Sequence, residues 1–135
     1  MDATNAAERL TAELLQHWEG RPKVAQALLC RPGEDTALVQ VVAPPVKKKW
    51  LTSTDVELFA AEPQDAATSA TWHTAVDELR ERGWLSEGYD APLFWAAPEP
   101  GRSPALARWA VDELLVAMRL AYDVGDPDGL HWVFG

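Results

Sequence analysis

One long stretch, SPALARWAVDELLVAMRLAYDVG from Ser103 to Gly125, constrains this chain more than any other. Ser103 supplies an N-cap oxygen and Pro104 suits the first helical position, where no amide hydrogen bond is lost. Gly125 can close the helix, and Pro127 forbids its restarting. At about 100° per residue, Ala107, Ala110, Val111, Leu114, Met118, Ala121 and Tyr122 form one broad apolar face. The charges Arg108, Asp112, Arg119 and Asp123 gather in a narrow wedge roughly opposite. Beside that wedge, Trp109, Val116 and Leu120 recur at steps of seven and four and make a second apolar stripe. A helix lying on a sheet needs one apolar face; a second is either covered by neighbours or offered to a partner.

The remaining segments surround this helix with a sheet. NAAERLTAELLQHWEG carries Ala7, Leu10, Leu14 and Trp18 along one face, starts with a capping-box spacing from Asn5 to Glu8, and stops at Gly20. VAQALLC (24–30) and TALVQVVA (36–43) flank the turn sequence RPGED and predict a hairpin. PPVKKKWLTST reads as a loop, whose three lysines are a solvated surface or a blunted strand edge. DVELFAA (55–61) alternates, with Val56, Leu58 and Ala60 on one face and Glu57 and Phe59 on the other. Next come a linker, EPQDAATS, and a helix, ATWHTAVDELRER (70–82), capped by Ser69 or Thr68 and stopped by Gly83. Trp84 is positioned to fold back over that helix. APLFWAA (91–97) is a fourth strand, and the tail LHWVF docks as a last one. The expected order is α-β-β-β-α-β-α-β: an α+β fold with an antiparallel sheet of four to five strands flanked by three helices, as one domain over 1–135.

Composition narrows the function. Hydrophobic residues make up 47%, as in ordinary globular proteins, and the net charge of −9 disfavours a nucleic-acid partner. A single cysteine, Cys30, rules out an internal disulfide and any multi-cysteine metal site, and reads as a small buried apolar residue. No apolar run reaches membrane-spanning length, and MDATNAAERL lacks the basic start of a signal peptide, so a cytoplasmic setting without membrane contact is expected. The seven tryptophans fall mostly at regular apolar positions; Trp50 and Trp109 do not, and are the better interface candidates.

The residues offer little for catalysis. His73 and Asp77 stand four apart, as a surface ion pair would, without a third metal ligand. His17 lies on an apolar edge, where histidines are usually satisfied core residues. DPDG (126–129) starts like a calcium loop but lacks its remaining ligands, so it is a turn. There is no phosphate loop and no nucleophile elbow. The expectation is a non-enzyme without cofactor or metal.

LVQVV in the second strand, RGW at the end of the middle helix, APLFWAA and ALARWAVDELL together resemble the TY-Chap domain, a bacterial family related to the chaperones of type III secretion. The resemblance spans about residues 36–134. It implies a small acidic α+β protein, often a homodimer, that holds a protein or peptide client. The chain departs from it in having no client-specific feature and no fused second domain. On this reading Trp109, Val116, Leu120, Phe59 and Trp50 line the partner contact. Two alternatives stand beside it: a toxin-neutralising, immunity-type inhibitor that turns its carboxylates on a basic enzyme, and a small-ligand enzyme domain with Trp95 and Trp132 in one pocket.

Overall fold

A computed structural model of the chain describes residues 3–21, 23–31, 39–43, 56–60, 66–85, 93–97, 101–122, 124 and 127–134. The elements run α1 (Ala3–Glu19), β1 (Ala25–Cys30), β2 (Val39–Ala43), β3 (Glu57–Ala60), α2 (Ala66–Arg82), β4 (Leu93–Ala96), α3 (Pro104–Tyr122), a short 3-10 turn (Pro127–Gly129) and β5 (His131–Phe134). The order and class match the sequence expectation. The five strands form one antiparallel sheet in the order β4-β3-β2-β1-β5, so the tail strand closes against β1 rather than beside β4. Among the described residues no helix is long and apolar enough to cross a membrane.

Two helices begin earlier than their capping residues suggest. α1 starts at Ala3, which places Asn5 inside the helix, and α2 starts at Ala66, which absorbs Thr68 and Ser69. Ser, Thr and Asn are weak helix formers rather than breakers, so neighbouring alanines carry the helix through them. The helix ends follow their signals more closely. Ser103 Oγ accepts from the Leu106 amide and its carbonyl from Ala107, as an N-cap should. At the end of α2 the Trp84 amide donates to Leu79 O and the Gly83 amide to Arg80 O, the paired bonds of a Schellman motif. Gly125, the expected stop of α3, lies outside the described residues, as do the hairpin turn at 32–35 and the lysines at 47–49.

All three helices cover the same face of the sheet. α3 lies in the middle, against both α1 and α2 and over β2 and β3. Its first apolar face is fully buried and, with the buried Ala117 beside it, presents four small residues: Ala107, Ala110, Ala117 and Ala121. The strands answer with Ala25, Ala27, Ala43 and Ala60, all buried on the helix side. Small residues on both surfaces let helix and sheet approach closely, with Leu58, Val41, Leu29 and Leu93 filling the space around them.

Polar clamps tie α1 to this core. Arg102, just before α3, donates to the carbonyls of Trp18, Arg21 and Lys23, satisfying groups left open where α1 ends. Arg9 donates to the carbonyls of Asp128 and Leu130, and Trp132 Nε1 to Leu10 O at 3.0 Å, which holds β5 under α1. His17 stacks on Phe134 of β5, with ring centroids 4.0 Å apart. Among the described residues its buried Nε2 has no hydrogen-bond partner, so it is less satisfied than a core histidine is expected to be.

Burial lowers the His17 pKa from its ordinary value near 6.5, a hydrogen bond to the Gln26 backbone works the other way, and Arg21 and Arg102 lower it again. The unfolded chain therefore binds this proton more readily than the folded one. The stability that follows is fully present above pH about 6.5 and is lost as pH falls through the lowered folded value. Thermal melts of the wild type between pH about 7.5 and 5 should lose stability that His17→Gln does not lose; parallel curves for the two would refute the assignment.

Gly83 has φ +124, and a Cβ built there would stand 2.5 Å from the Trp95 ring. Gly101 has φ +103, but a Cβ there would meet nothing within 4 Å. Gly83→Ala should destabilise by about 3 kcal/mol through strain and overpacking together, and Gly101→Ala by about 1 kcal/mol through strain alone. Urea unfolding midpoints of the two variants measure the difference; equal losses would mean the Trp95 ring yields freely.

Candidate functional site

The second stripe of α3 proves to be its α2-facing flank. Trp109, Glu113, Val116 and Leu120 follow one another at steps of four, three and four, so they line up along the helix. The two ends of this line have different surroundings. The upper part is engaged within the chain: Trp109 meets Trp95 of β4 edge to face, with centroids 5.3 Å apart, and Trp95 packs on Trp84 at 6.1 Å. Below it, Glu113 is 7% exposed and accepts from Arg82 Nε at 3.0 Å and Nη2 at 2.7 Å. Trp84 Nε1 approaches the same carboxylate at 3.4 Å. This forked pair raises the Arg82 pKa above its ordinary value, chiefly through the hydrogen bonds to Glu113.

The lower part is different. Val116 and Leu120 are half-buried against the core, and each borders open space. On the α2 side a groove of about 400 Å³ is lined by Glu78, Glu81, Arg82, Val116, Arg119 and Leu120. On the α1 side a groove of about 350 Å³ runs past Val116 and Leu115 to Val124, Pro127 and Leu130. Val116 and Arg119 line both grooves, so they form the crest between them. The wedge of charge beside this crest contains the Arg108–Asp112 ion pair, Nε to Oδ1 at 2.9 Å. Asp123 lies outside the described residues.

The expected contact residues do not share one surface. Phe59 projects from the sheet face opposite the helices, because its neighbours Leu58 and Ala60 are the ones buried under them. There it belongs to a row crossing every strand: Val133, Leu28, Gln40, Phe59 and Phe94 stand in register. Phe94 is 38% exposed, and Leu85, bridged to it by backbone hydrogen bonds, is 54% exposed. A site that includes Phe59 therefore lies on the other side of the molecule from Val116. Trp50 lies outside the described residues. The pocket shared by Trp95 and Trp132 is not formed: the two belong to β4 and β5, the opposite edges of the sheet.

Two features escaped sequence reasoning. Glu113 is the buried acceptor for Arg82 and Trp84, and the word RGW at the end of α2 was the available signal. The transverse row on the sheet depends on register, which no single strand reveals. Among the described residues, no three His, Cys, Asp or Glu side chains come together as a metal ligand set. Cys30 is buried.

Glu113→Gln keeps an acceptor for Trp84 but removes the charge facing Arg82, and should destabilise by about 1 to 2 kcal/mol. Arg82→Ala leaves the buried carboxylate uncompensated and should cost more. Denaturant midpoints at unchanged slope measure both; a neutral Glu113→Gln would show that the pair is idle. Comparisons of the chain with known protein families, with characterised proteins and with solved structures returned no match.

Proposed function

We propose that this protein is a non-enzymatic, chaperone-like or adaptor domain that binds a polypeptide partner through an apolar surface on its helical side. The observation that carries the reading is the lower part of the α3 stripe. Val116 and Leu120 stay half-exposed, bordered by open grooves, although α3 already has a complete buried face against the sheet. Folding alone does not need a second apolar line at those positions, whereas a partner would gain by covering it. The resemblance of LVQVV, RGW, APLFWAA and ALARWAVDELL to the TY-Chap domain supports the same reading and adds client holding and a homodimer to it. The acidic composition suits a cytoplasmic protein that does not bind nucleic acid.

A second reading, a toxin-neutralising inhibitor, draws on one observation: the exposed side of α2 carries Asp77, Glu78 and Glu81, a surface that would face a basic enzyme. Contact through carboxylates alone would weaken steeply with salt, while contact through Val116 and Leu120 would not.

The double variant Val116→Ser/Leu120→Ser removes the apolar crest at half-exposed positions and should leave a folded chain, verified by circular dichroism. Affinity purification of the tagged wild-type chain from its host should recover a stoichiometric protein partner that the double variant loses. A partner retained by that variant but lost by Phe59→Ser/Phe94→Ser would move the site to the sheet and overturn the assignment to α3.

A further inference from the structure

We infer that the α2–α3 groove takes an amphipathic helical segment bearing lysine or arginine along the edge that faces α2; this rests on the polypeptide-binding reading above. The apolar lining of the groove is Val116 and Leu120, spaced four apart on α3, a short apolar ridge of the kind another helix packs against. Its far wall is Glu78 and Glu81 of α2, three apart and on the same flank, both exposed to solvent. Among the described residues neither carboxylate has an ion pair. Arg82, which stands between them and α3, is committed to Glu113 by two hydrogen bonds and does not neutralise them.

The charge is therefore unequal across the groove. Two carboxylates on the α2 wall face one cation, Arg119, on the opposite crest. An incoming segment is steered to put its positive edge over α2 and its apolar edge on Val116 and Leu120. An anionic segment would meet Glu78 and Glu81 directly, and like charges across a contact are unfavourable. An apolar segment without charge would leave both carboxylates partly desolvated and unpaired. The net charge of −9 adds a long-range attraction for the same cationic segment, which a test has to separate from the local effect.

The probe is a fluorescently labelled synthetic peptide of about 18 residues, with leucines at helical spacing and lysines along one edge, alongside a twin with every lysine replaced by glutamate. Both are titrated into the full chain and followed by anisotropy. The lysine peptide should bind and the glutamate peptide should not. Glu78→Gln/Glu81→Gln should weaken binding about fivefold and flatten its salt dependence, the size expected of two exposed charge contacts. Glu8→Gln/Glu19→Gln, which removes the same charge from the exposed side of α1, should change little.

Equal weakening by the α1 and α2 pairs would reduce the effect to net charge and overturn the inference. If both peptides bind alike, and Val116→Ser/Leu120→Ser abolishes binding of both, the groove stands and the cationic preference falls. If neither peptide responds to Val116→Ser/Leu120→Ser, the groove itself falls, and the polypeptide-binding reading loses the surface that carries it.

Discussion

The close approach of α3 to the sheet is the constraint on which the rest of the structure depends. Ala107, Ala110, Ala117 and Ala121 are buried on the helix, and Ala43 and Ala60 on the strands β2 and β3 beneath it, so little side chain is there to hold the backbones apart. Larger residues at those positions would force the helix outward; overpacking of this kind typically costs about 1–3 kcal/mol. Because α3 sits deep and central, α1 and α2 can only lie on either side of it, and its flanks become the inner walls of two grooves. The candidate surface is thus a by-product of how the core is packed.

Polar contacts then set where those grooves open. Near α2 the fork of Arg82 on Glu113, with Trp84 beside it, pins the end of that helix against the middle of α3. The Trp84, Trp95 and Trp109 rings continue the contact to β4. Beyond Glu113 the buried rings of Trp72 on α2 and Tyr122 on α3 keep the two helices in contact, with centroids 6.2 Å apart, while Val116 and Leu120 border open space. Near α1, Arg102 and Arg9 perform the corresponding service by collecting backbone carbonyls from α1, the 3-10 turn and the residue before β5. A buried carboxylate is stable here because both its oxygens are hydrogen-bonded and its partner remains partly in water.

The tryptophans show how much could be read in advance. Trp18, Trp72, Trp84 and Trp132 are buried, as their place in regular apolar patterns indicates. Trp109 breaks the main pattern of α3 and is indeed only half-buried, yet its ring is engaged by Trp95 of its own sheet. The stripe it heads looked uniform in sequence. In three dimensions its upper part is internal contact and its lower part is surface, because α2 diverges in function along its length from clamp to groove wall. Periodicity identifies a face of a helix; it does not say how far along that face a neighbour reaches.

Local patterns alone determined the α+β class, the order of the elements, the Ser103 cap, the glycine-terminated end of α2 and the buried face of α3. Each follows from interactions within a few residues, where spacing dictates which side chains share a face. The strand order, the placement of Phe59 on the side away from Val116, the separation of Trp95 from Trp132 and the partnership of Arg82 with Glu113 were decided only by the tertiary structure. These depend on which strands pair and how helices settle on them, and such contacts join residues far apart in the chain that no local period connects.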